Sequence, residues 1–273
     1  MNESFDPLIV LIHHPGGIPM KNTTRVKLLR IITLVAATGG YLLRAYLYAS
    51  AVDQKGLIVA GHWATWVLCG LTVAFLASLI VIARNPEEEL DYWDCFTPSV
   101  WRFCGALLAS AAILYRVLWD AEPAVDYLSK LSILFGVGAG IGLIFIAFRR
   151  FAGTKPSFLC PSAVSVFFSI QMVNLYRAWS SDPQLLDYGF YLGAFVCLMF
   201  TAYFQAHFQV DPRNHRALWI AAMAATYFCC VAIPESQDTL FLVICAFWAF
   251  TCTPQIEAKP RRQRPEMMMY EGF

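Results

Sequence analysis

The sequence predicts an all-α protein: a polytopic bundle of about eight transmembrane helices, arranged as four tandem parallel helical hairpins. Three observations predict it. Of 273 residues, 58% are hydrophobic and only 14% charged, where a soluble domain sits nearer half apolar and a quarter charged. The apolar residues gather into eight stretches separated by short polar gaps. Lysine and arginine crowd into alternate gaps. A water-soluble globule of this length needs a charged surface that this chain lacks, and lipid as solvent accounts for the shortage.

Taken in order, the predicted spans are Leu28–Tyr48, Leu57–Ile82, Val100–Trp119, Leu131–Phe148, Phe158–Trp179, Leu185–Phe208, Ala217–Ile233 and Thr239–Cys252. A helix rises about 1.5 Å per residue and the hydrocarbon core is about 30 Å thick. Most of these stretches suffice; the last is short. Seven spans followed by a re-entrant or interfacial segment is the alternative. The junctions carry turn and cap chemistry: Thr97-Pro98, Asp182-Pro183 and Asp211-Pro212 each suit an N-cap followed by proline in the first turn. Asn85-Pro86-Glu87-Glu88-Glu89 suits a capped helix start with acids in its first turn, and Leu90, Trp93 and Phe96 give it an interfacial face.

Charge placement predicts orientation. Fifteen of the twenty basic residues fall on one side, in the N-terminal segment, the second, fourth and sixth loops and the tail. That side is expected to be the cytoplasm, in a plasma membrane. The predicted organisation is a cytoplasmic segment over 1–27, a transmembrane domain over 28–252 and a cytoplasmic tail over 253–273. The apolar run Leu8–Ile12 is broken by His13, His14, Pro15, Gly16 and Gly17, so it does not read as a signal peptide.

The hairpins repeat a signature. Leu114-Tyr115-Arg116 matches Leu175-Tyr176-Arg177, and ten residues after each arginine comes an Asp-Tyr pair, Asp126-Tyr127 and Asp187-Tyr188. The first hairpin has Arg44 and then Asp53; the fourth has Phe228 in the arginine's place and Asp238 ten residues on. Two spans per unit preserve orientation, so the repeats run parallel.

Three roles are open to these outer arginines. Arg116 with Asp126, and Arg177 with Asp187, would clasp each hairpin as structural ion pairs; snorkelling to headgroups needs no partner; or the guanidinium groups hold a small anionic or polar ligand by charge-assisted bonds. Gln171, Asn174 and Arg177 recur every three residues on the fifth span, one slowly drifting polar stripe. Polar groups at that depth need partners in the bundle or in a water-filled cavity. Arg177, Asn174, Gln171, Arg116 and Arg44 are therefore the ligand-binding candidates, with interhelical hydrogen bonding as the structural alternative.

Other chemistry finds little support. The nine cysteines lack metal-binding spacing and read as small membrane-embedded hydrophobes, so no metal or cofactor is expected. HExxH, GxSxG and phosphate-loop patterns are lacking, and no catalytic residue is assigned. Net charge is +1, which gives nucleic acid no attractive field. Gly136, Gly138, Gly140 and Gly142 form two overlapping GxxxG pairs, as Gly189 and Gly193 form one, and both read as helix-packing surfaces.

Over Tyr176-Arg177-Ala178-Trp179-Ser180-Ser181-Asp182-Pro183-Gln184-Leu185-Leu186-Asp187-Tyr188 the chain resembles a group of bacterial multi-pass membrane proteins that carry a YRxWSxDPQLxDY motif. The resemblance extends over roughly 175–208 and brings no assigned activity. It implies a bacterial plasma-membrane protein and supplies no catalytic residue. The sequence thus points to a non-enzymatic membrane protein that binds small molecules or serves their transport, with the lipid bilayer as its first partner. The alternative is a signalling or scaffold domain whose protein partner docks on the basic cytoplasmic face, where the tail offers Lys259, Arg261, Arg262 and Arg264.

Overall fold

A computed structural model describes residues 22–51, 62–83, 99–119, 127–179, 188–210, 215–236 and 238–253. Among them the chain forms eight α-helices: α1 Asn22–Ser50, α2 Trp63–Ala83, α3 Val100–Leu118, α4 Tyr127–Phe151, α5 Leu159–Trp179, α6 Gly189–Val210, α7 His215–Ala232 and α8 Thr239–Thr251. Seven are long and apolar enough to cross a membrane; the eighth is apolar with 13 residues. The protein is a helical integral membrane bundle of about eight spans.

Helix bounds differ most from the apolar stretches at α1, which starts at Asn22 and not at Leu28, and at α2, which starts at Trp63 and not at Leu57. Hydropathy marks where lipid begins, whereas the backbone stays helical through the polar turn that carries Arg25 and Lys27. Arg25 is buried against the bundle, so this turn is packed and not a free extension.

Helices α3 to α8 form a closed ring in which each packs on the next, and α8 returns to α3. The ring has a filled centre: Phe168 of α5 meets Phe195 of α6 and Trp248 of α8 with centroids 5.9 and 6.2 Å apart, and Phe195 stacks on Phe241 of α8 at 6.1 Å. These rings are all buried. Helix α7 is the most buried of the long helices. Its other face receives α1, and α2 packs on both α1 and α7, which builds a second apolar core around Leu29, Leu47, Leu68, Phe75, Trp219 and Tyr227.

Small residues set the closest approaches. A side chain on Gly136 would run into Val117 of α3, and a Cβ on Gly140 would stand 2.6 Å from Leu114 of the same helix. The other GxxxG pair is split: Gly142 faces the Cys160 backbone of α5 at 3.0 Å, while Gly138 meets nothing within 4 Å. Gly105 brings α3 against Thr251, 2.6 Å from where its Cβ would be, so α8 can close the ring. Interhelical hydrogen bonds add to this packing: Ser110 Oγ of α3 donates to Gly140 O of α4 at 2.7 Å, and Ser165 Oγ of α5 to Met199 O of α6 at 3.2 Å.

Candidate functional site

Among the described residues, two polar clusters stand at the two ends of α8. At its start, Pro234 closes α7 into a single 3-10 turn, Ile233–Glu235. Ser236 Oγ then accepts the backbone N–H of Asp238 at 2.8 Å, and Thr239 Oγ1 donates to Ser236 O at 3.2 Å. This turn fixes Asp238 at the N-cap of α8, where the helix dipole favours an anion. Its carboxylate does not cap its own helix. Instead, Oδ2 meets Arg116 Nη1 at 2.9 Å and accepts from the Tyr191 hydroxyl at 2.9 Å. The Arg116 guanidinium also lies over the rings of Phe241, 4.8 Å from its centroid, and Phe195, at 5.8 Å, favourable cation–π geometry.

Beside this ion pair, between α3 and α8, lies a cavity of about 420 Å³. Leu108, Ala111, Ala112, Leu240, Phe241 and Ile244 make its apolar wall, and Tyr115, Arg116 and Asp238 its polar end. Leu108 and Leu240 are exposed, so the cavity opens sideways, toward lipid and away from the ring's centre. Its volume falls within the ~300–1,000 Å³ typical of small-molecule pockets, and a few polar groups converge on its apolar lining.

The arginine–aspartate clasp is therefore seen across hairpins: Arg116 of the second hairpin serves Asp238 of the fourth, the hairpin in which Phe228 stands where an arginine would. Phe228 fills its own place by packing on Phe190, with centroids 6.1 Å apart, and on the bare backbone of Gly193. Asp126 and Asp187, the partners expected from sequence for Arg116 and Arg177, lie outside the described residues.

The remaining candidates go to separate places. Gln171 is buried, and its Nε2 donates to Ser132 Oγ of α4 at 2.7 Å, the interhelical bond that the structural alternative anticipates. Asn174 is half-buried and Arg177 exposed. Arg44 is buried between the rings of Tyr48 and Phe190, 5.2 Å from each centroid. Of the three outer arginines, Arg116 lines the cavity between α3 and α8.

At the far end of α8 a second polar group assembles. Arg102 of α3 donates from Nε to Thr251 O at 3.2 Å and from Nη2 to Thr253 O at 3.1 Å. Arg30 of α1 donates to Thr253 Oγ1 from Nε at 3.1 Å and from Nη2 at 3.0 Å, and from Nη2 to Thr253 O at 3.1 Å. Arg150 of α4 is buried near by, and the Gln205 amide, oriented with its oxygen toward it, accepts from Nη1 and Nη2 at 3.0 and 2.9 Å. The last carbonyls of a helix have no partner within it and carry its negative pole. Here Arg102 supplies that partner to Thr251 O, and Arg30 and Arg102 together hold Thr253 just beyond the helix end.

From sequence alone, Arg30 and Arg102 fall among the fifteen basic residues that set orientation, and Asp238 marks a repeat. The signal for Arg102 was its position two residues inside an apolar span, where a charge is costly. For Asp238 it was a carboxylate at a helix start whose own hairpin has Phe228 at the outer arginine position. Tyr191 gave no such signal.

Comparison of the chain with protein-family models, with curated proteins and with solved structures gave no match.

Proposed function

We propose that this integral membrane protein is a non-enzymatic binder of an amphiphilic small molecule, held in the lateral cavity between α3 and α8. The observation that carries the reading is one cavity with two chemistries: an Arg116–Asp238 ion pair with Tyr115 at one end and six apolar side chains along the rest. Paired charges of opposite sign suit a polar or zwitterionic head, and the apolar wall suits a hydrocarbon body. A lateral opening suits a ligand that partitions into the bilayer first. The filled centre of the ring favours binding at this seam over passage along the bundle axis.

The charge asymmetry of the loops supports both termini in the cytoplasm, which puts the cavity at the outer leaflet. The resemblance over 175–208 supports a bacterial plasma membrane. The test is thermal unfolding of detergent-purified protein against a panel of polar-headed amphiphiles. A ligand should stabilise the wild type and lose its effect in Ala112→Trp, which fills the cavity, and in Arg116→Gln, which removes its charged donor. Stabilisation that survives both substitutions would sink the reading.

A further inference from the structure

The opposite end of the α3–α8 seam holds a second cavity, of about 270 Å³, lined by Arg30, Ser99, Trp101, Arg102, Phe247, Phe250 and Thr251. We propose that it is a headgroup site for an anionic phospholipid of the leaflet on the side where α1 begins and α8 ends. Two guanidinium groups, a serine and a threonine face one space, and each guanidinium presents planar donors that match a phosphate. Their hydrogen bonds to Thr251 and Thr253 hold both side chains in place, so a ligand meets groups already oriented. A further recess on the other side of Arg102 is lined by Arg150, so three arginines from three helices stand around one helix end.

The surroundings favour lipid over a free anion. Trp101 is 66% exposed and meets Phe247 edge-on, with centroids 6.4 Å apart. Arg30 lies 5.8 Å from the Phe250 centroid. An arginine floor with an aromatic rim open to the bilayer takes a phosphodiester with its acyl chains laid along the seam. This end also belongs to the side that gathers most of the chain's basic residues, the side that meets anionic lipid in a cell membrane.

The test is lipid binding to the purified full chain by native mass spectrometry and by thermal unfolding in mixed micelles. The probes are phosphatidylglycerol, phosphatidylcholine and inorganic phosphate. The wild type should prefer phosphatidylglycerol to phosphatidylcholine. Arg30→Gln, at a half-buried position that tolerates change, should lower phosphatidylglycerol affinity by about tenfold, the size of one charge-assisted contact. Arg30→Lys should keep the preference for the anionic lipid, and Arg116→Gln, at the other end of the seam, should leave it unchanged. Equal binding of the two lipids by the wild type, or an undiminished preference in Arg30→Gln, would overturn the proposal. So would binding of inorganic phosphate with no preference between the lipids.

Discussion

The two ends of α8 use arginine in opposite ways. At the start, Arg116 meets a full negative charge, Asp238, together with a tyrosine hydroxyl and two aromatic faces. At the finish, Arg30 and Arg102 meet neutral carbonyls and a hydroxyl. The first end carries a counter-ion on the helix; the second relies on the dipole and on backbone oxygens. A short helix in lipid needs both ends satisfied, because unpaired backbone groups there cost several kcal/mol each. The contrast teaches that the same residue type serves as half of an ion pair at one end and as a cap at the other.

Substitutions can break that contrast, starting with the largest effect. Arg102→Leu strips a buried donor from two terminal carbonyls and should cost about 3 kcal/mol, near the upper range for hydrogen bonds from a charged group. Unfolding by an anionic detergent titrated into mild micelles would measure it. Arg116→Leu should cost about 2 kcal/mol, less because the pair is partly exposed. Adding Asp238→Leu should return part of that loss, since the carboxylate left unpaired disappears with it. A double-mutant cycle giving no coupling would show that the two ends do not differ as described.

Away from α8, Gln171→Ala and Ser132→Ala should each cost about 1 kcal/mol and be non-additive, as befits one interhelical bond.

Much of the bundle was legible in the sequence because lipid imposes one rule on every span. Apolar length and basic loops sufficed to mark α3, α5 and α8 to within a residue or two. The N-terminal turn of α1 was missed because its helix is held by Arg25, which packs against the protein, and hydropathy registers only lipid. The partner of Arg116 was missed for another reason: repeat logic pairs residues within a hairpin, whereas ring closure brings the fourth hairpin back to the second. Nothing local announces that α8 sits beside α3; it follows from six helices packing in sequence around a filled centre, with Gly105 leaving room for Thr251.

The length of α8 has a consequence for the bilayer itself. Thirteen residues rise about 20 Å, against about 30 Å of hydrocarbon, while α4 beside α3 has 25 residues. The helices therefore present a stepped hydrophobic height, and thinning of the lipid next to α8 is one way the bilayer matches it. Such hydrophobic mismatch costs fractions of a kcal/mol per Å. The α3–α8 seam is then the sector where leaflets are drawn together, and bilayer thickness becomes a variable to which this one helix, more than its neighbours, responds.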